Sequence, residues 1–97
     1  MWCIFSVLAE RDLEEIADYI ARDNPRRALP FICEIRERCH KIVTFPKAAP
    51  LNEELGKGIR VIPFGRYLIF YTEDSDKVRV ARILTGSRLL SSDYEKI

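Results

Sequence analysis

The second half of this chain carries three runs of β-forming residues: Ile59 to Pro63 (IRVIP), Tyr67 to Thr72 (YLIFYT) and Val78 to Leu84 (VRVARIL). They are separated only by Phe64-Gly65-Arg66 and by the polar stretch Glu73-Asp74-Ser75-Asp76. A parallel crossover needs about a dozen residues or more, so connections this short force an antiparallel meander. Tyr67 to Tyr71 is apolar at every position, which suits a strand buried on both faces in the middle of the sheet. Pro63 falls at a strand end, where its missing N–H costs little.

The meander is preceded by helical periodicity. Trp2 to Val7 (WCIFSV) is rich in aromatic and β-branched residues and predicts a first strand, with Ser6 placed to cap a helix after it. From Ala9 to Asp23, Leu13, Ile16, Ala17 and Ile20 repeat at the spacing of one helical face, while Glu10, Arg11, Glu14, Glu15, Asp18 and Arg22 fill the other. Asn24-Pro25 then punctuates. Asn tolerates the left-handed conformation that ends one helix, and proline suits the first turn of the next. A second helix is expected over about Arg26 to Thr44, with Ala28, Phe31, Ile32, Ile35, Cys39, Ile42 and Val43 inward and Arg36, Glu37, Arg38 and Lys41 outward. Pro30 interrupts it and predicts either a kink or a true start near Leu29. Pro46 to Gly58 is expected to be a connecting loop, and Gly86 to Ile97 a short helix or loop. The order of elements defines an α+β fold: an N-terminal strand, a two-helix hairpin, then a three-stranded antiparallel meander, with the helices packed on one face of the sheet.

Ninety-seven residues with 47% apolar content suffice for one core, so residues 1–97 are expected to form a single domain. No apolar run approaches the ~20 residues that cross a bilayer, and Trp2 to Leu8 lacks the flanks of a signal peptide, which predicts a cytoplasmic protein. Cys3, Cys33 and Cys39 have none of the paired spacings that grip zinc or run redox chemistry, and read as reduced apolar fillers. Cys39-His40 is not expected to act as a pair, because adjacent helical side chains diverge by about 100°. His40 is the only histidine. No metal and no cofactor is expected. A Gly-rich phosphate loop, an HExxH helix and a nucleophile elbow are all missing from the sequence.

The chain holds 16 Lys and Arg against 15 Asp and Glu, but their distribution is uneven. Met1 to Leu55 carries eight basic and ten acidic residues; Gly56 to Ile97 carries eight basic and five acidic, three of the latter in one turn. The sheet half therefore presents positive charge. Strand alternation puts Val78, Val80, Arg82 and Leu84 on one face, so Arg82 interrupts an apolar series. Two readings stay open: an ion pair with an acid of the first helix, Asp12 or Glu15, or an exposed functional guanidinium. Arg60 and Arg66 flank the first hairpin, and Arg79 and Arg88 flank the last strand. With Lys57 they compose a field that attracts phosphates or an acidic partner. Tyr67 and Tyr71 are expected in the packing of the sheet, and Tyr94 could stack on bases. The candidates for target binding are Arg60, Arg66, Arg82, Arg88 and Tyr94.

Four segments in order carry a resemblance: Ala9 to Ile20 (AERDLEEIADYI), Asn24-Pro25 with Ala28, Pro63 to Tyr71 (PFGRYLIFY), and Val80 to Arg88 (VARILTGSR). Together they resemble the RelE/ParE superfamily of toxins, particularly its ParE branch, over nearly the whole chain. The resemblance implies the toxin half of a type II toxin–antitoxin pair, acting on DNA gyrase and neutralised by a cognate, ParD-like or other antitoxin whose C-terminal segment folds over it. RelE-like members instead cut mRNA on the ribosome. For that chemistry Arg88 and Tyr94 stand where the RelE pattern has an arginine and a terminal tyrosine, but Leu68 stands where it has its central-strand arginine. The lysines of the preceding strand are also missing, since Ile59-Arg60-Val61 offers one arginine. ParE-like proteins usually show His at the position of Thr85 and Asp at that of Leu89. These departures imply a third reading, an attenuated toxin that acts only as an antitoxin-binding co-repressor.

Overall fold

The computed structural model describes residues 2–86. Its elements are β1 (Trp2–Phe5), α1 (Val7–Asp23), α2 (Pro25–Ile42), β2 (Arg60–Phe64), β3 (Tyr67–Glu73) and β4 (Lys77–Thr85). The tail and the candidates Arg88, Leu89 and Tyr94 lie outside the described residues. The meander is present: β2 pairs antiparallel with β3, and β3 antiparallel with β4. β3 is enclosed on both sides, as its uniformly apolar sequence requires. β1 adds to the far side of β4 in parallel, giving a mixed sheet of order β1-β4-β3-β2.

The helix junction corrects one expectation. Asn24 is not left-handed; it has φ −146° and ψ 85°. It ends α1 through its N–H to the Ile20 carbonyl (2.8 Å) and opens α2 through its own carbonyl, which accepts from the Arg27 N–H (3.0 Å). The cause is Pro25, whose ring pushes the residue before it into extended conformations. α2 neither starts near Leu29 nor breaks at Pro30; it runs through that proline, which lies on the exposed side. The helix is retained because Ala28, Ile32, Ile35, Cys39 and Ile42 bury one continuous stripe.

That stripe, with Ala9, Leu13 and Ile16 of α1, packs on Ile62, Tyr67, Ile69, Tyr71, Val78, Val80 and Ile83 of the sheet. The opposite face carries a smaller cluster of Ile59, Phe70 and Leu84, with Leu55, Val61 and Leu68 against it. The two clusters divide β4 differently from simple alternation. The register steps from Phe70↔Arg82 to Tyr71↔Val80, which leaves Ala81 as an extra residue in a bulge. Val78 and Val80 therefore face the helices, while Arg82 and Leu84 lie opposite Phe70 and Leu68 on the other face. Arg82 does not interrupt an apolar row.

The loop between α2 and β2 is tied down on the β2 side. The Tyr71 hydroxyl donates to the Pro46 carbonyl (2.8 Å), and the Arg60 guanidinium donates to the Ala49 carbonyl and, at 3.4 Å, to that of Lys47. Leu51 forms an antiparallel bridge to Arg60, and the Asn52 N–H reaches the Ile59 carbonyl (2.7 Å). At the other end of β2 the hairpin turns through Gly65, whose φ of +59° is a conformation that L side chains rarely adopt.

Where β1 ends, α1 takes over its place along β4. The Ser6 N–H donates to the Val80 carbonyl (2.9 Å), and the Ser6 hydroxyl donates to the Ala81 carbonyl (2.7 Å) while accepting from the Ala9 N–H (3.0 Å) as the helix cap. Further along α1, Asp12 accepts from the Ile83 N–H (2.9 Å) and from Nε (2.8 Å) and Nη2 (3.0 Å) of Arg82. Asp12 is only 4% exposed, and all three bonds are charge-assisted. Removing it strands a buried N–H and takes two hydrogen bonds from the Arg82 guanidinium. Asp12→Ala is expected to cost about 3–5 kcal/mol, read by urea unfolding; a loss under about 1 kcal/mol, the range of an exposed pair, would contradict this role for Asp12.

Candidate functional site

A groove of about 420 Å³ opens between α1 and the end of the sheet where the meander turns. α1 supplies one wall. Ile16 points to the core; one turn on, Tyr19 stands at the rim with 54% of its surface exposed, and Glu15, Asp18 and Arg22 continue the rim. The Gly65-Arg66 turn supplies the other wall, with the Arg66 guanidinium 5.9 Å from the centre of the Tyr19 ring, at the outer limit of a cation–π contact. Tyr67, Ile83 and Thr85 form the floor with Asp12. A mixed base, Ile83 and the Tyr67 ring beside Thr85 and the Asp12 carboxylate, thus sits beneath two acids and two arginines. Burial, outweighing the opposing pull of Arg66 and helped slightly by the neighbouring Tyr19, leaves the Tyr67 hydroxyl with a raised pKa, so it remains a neutral hydrogen-bonding group near neutral pH.

The structure separates the candidates read from the sequence. Arg82 is held by Asp12 beneath the groove, the ion-pair reading of the two left open. Arg66 is exposed and faces the groove. Arg60 is at the opposite end of β2, its guanidinium engaged by the carbonyls of Lys47 and Ala49, and does not join the site. Tyr67 and Tyr71 are packed in the sheet, 5% and 1% exposed. Sequence periodicity missed Tyr19, Asp18 and Arg22, since it assigns Asp18 and Arg22 to the solvent side of α1 and gives Tyr19 to neither face. An aromatic ring on an otherwise charged helix face was the available signal.

No nucleophilic pair is assembled from Cys39 and His40. Cys39 is buried, whereas His40 is exposed on α2 and meets the Phe5 ring edge-on at 6.2 Å. Among the described residues, no group of three or more His, Cys, Asp or Glu side chains is placed to hold a metal ion. No helix among them is long and apolar enough to cross a membrane.

A sheet of order β1-β4-β3-β2 with a helix hairpin on one face is the α+β architecture that the sequence pattern implies. The family model described as the ParE toxin of the type II toxin–antitoxin system, parDE, matches residues 3–90, and the chain belongs to that family. A solved structure described as the chromosomal ParDE TA system from P. aeruginosa superposes with a TM-score of 0.77 at 17% identity, covering 88% of this chain and 95% of that one. At that identity the likeness is one of fold. A search of curated proteins finds no match.

The thiols provide a direct check on the packing. Burial, with a lesser push from Cys3 and against the opposing pull of Arg38 and Arg36, raises the Cys39 pKa to about 12, so at pH 8 its nucleophilic thiolate is almost absent. Cys3 is half-buried and its pKa is also raised by burial, while Cys33 is exposed. Iodoacetamide followed by mass spectrometry should modify Cys33 first and Cys39 only when denaturant is added. Early labelling of Cys39 would refute the packing described for α2.

Proposed function

We propose that this chain is the toxin of a type II toxin–antitoxin pair that acts in the cytoplasm by binding and inhibiting DNA gyrase, and that a cognate antitoxin silences it by folding over its surface. The observation that carries the proposal is the family match over residues 3–90. The groove beside α1 supports it, because a mixed floor with charged rims of both signs suits a peptide or protein surface better than a small substrate, whose sites are mostly apolar. Action by binding rather than by catalysis is favoured by Leu68. Where a RelE-like nuclease would carry an arginine, this side chain packs against the apolar cluster of Phe70 and Leu84. Charge stabilisation on a scissile phosphate needs a cation there, and a half-buried leucine supplies none.

Among the target-binding candidates, Arg66 is the described residue available for the task. Arg60 and Arg82 serve the loop and the helix contact, and Arg88 and Tyr94 remain candidates outside the described residues. The purified chain is expected to block gyrase supercoiling and to accumulate cleaved DNA. Arg66→Glu should weaken that inhibition about tenfold, the loss of roughly 1.4 kcal/mol of binding, with unchanged thermal stability. Full supercoiling at micromolar chain would refute gyrase as the target. Equal inhibition by Arg66→Glu would remove the arginine from the interface.

A further inference from the structure

A second hollow, of about 150 Å³, lies where the end of α2 meets the loop before β2. Its floor is apolar, formed by Ile42, Ala49 and Ile62, and its walls are Phe45 and Ala48. Its mouth carries Arg38 and Lys41, one helical turn apart. No carboxylate lines it. Glu73 acts on the Tyr71 hydroxyl from outside the lining and is outnumbered there by Arg38 and Arg60.

The hollow is preformed. Its loop wall is held by the Tyr71 hydroxyl on the Pro46 carbonyl (2.8 Å) and by Arg60 on the Ala49 carbonyl, so no backbone ordering remains for a ligand to impose. Its volume is about that of a cavity that holds one benzene ring, enough for a single leucine, isoleucine or phenylalanine side chain. Phe45 is 73% exposed beside it, a large apolar surface with nothing from the described residues over it. An apolar slot ringed by cations fits an anchor-and-rim contact, with one desolvated side chain at the centre and charges around it.

We propose that this slot receives one aliphatic side chain from an acidic segment of a partner protein, whose carboxylates pair with Arg38 and Lys41. The partner's identity rests on the proposed function: it is the antitoxin. The contact stands apart from the groove beside α1, because it is built on the end of α2, the loop before β2, Ile62 and Tyr71, none of which lines that groove. It therefore lets the antitoxin hold the chain away from the Arg66 surface assigned to gyrase, and linking this contact to any other made by the same antitoxin raises overall affinity without improving either one.

Ala48 and Lys41 are both exposed, so substitutions there leave the core intact. Ala48→Trp fills the slot, and Lys41→Glu reverses the charge of its mouth. The test is titration calorimetry of the full chain against the purified product of the neighbouring antitoxin gene, at low and at high salt, with melting temperatures as the control for folding. Each variant is expected to bind about tenfold more weakly than the unmodified chain, which corresponds to roughly 1.4 kcal/mol. Lys41→Glu should also flatten the salt dependence, because a rim charge acts mainly through long-range attraction. Affinities within about twofold of the unmodified chain for both variants would overturn the slot. Failure of the unmodified chain to bind would overturn the antitoxin reading itself, and the slot with it.

Discussion

The contact on which the rest of this fold depends is made by one carboxylate. β1 is only four residues long, and when it leaves the sheet it exposes the second half of β4 along an edge that still carries backbone donors and acceptors. Ser6 takes the Val80 and Ala81 carbonyls, and Asp12 takes the Ile83 N–H. The start of α1 thus substitutes for the missing strand partner, which meets the demand that buried backbone groups be paired. Arg82 completes the arrangement by neutralising Asp12. A buried charge with three good hydrogen bonds is tolerated where an unpaired one is not.

The site depends on this contact. With α1 fixed against β4, Ile16 is committed to the core, and Tyr19 one turn later is delivered to the rim across from Arg66. The bulge at Ala81 acts in the same direction. By inserting one residue it lets Val80 and Ile83 both face the helices while Arg82 crosses to the other side, from which its guanidinium reaches the edge where Asp12 waits. Without the bulge, an alternation that keeps Val78 and Val80 on the helices would place both Arg82 and Ile83 on the wrong face. The arginine is therefore structural, and the groove's available cations are Arg66 and Arg22.

Much of the fold was legible in the sequence because it rests on short-range pattern. The 3.6-residue repeat of Leu13, Ile16 and Ile20, the Ser6 cap, and the short spacers of the meander each have one structural solution. The features that escaped are those set by distant parts of the chain. The parallel pairing of β1 with β4 joins residues at opposite ends of the described chain, and the bulge depends on matching β4 to β3 while Asp12 holds its edge. At Asn24 the local rule for prolines outweighed the rule for helix ends. Of the site, the Asp12–Arg82 pair could be anticipated from an arginine in an apolar strand, but the roles of Arg60 and Arg66 could not be told apart. Both flank a hairpin, and only the course of the loop from Pro46 to Ala49 decides which is consumed.

Native-state hydrogen exchange at the Ile83 amide tests the central claim most directly. An amide bonded to a buried carboxylate, on a strand held by α1, should exchange only through global unfolding, with a free energy matching that from denaturant titration. Exchange as fast as that of an exposed turn amide such as Ser75 would show that α1 does not close the edge of β4.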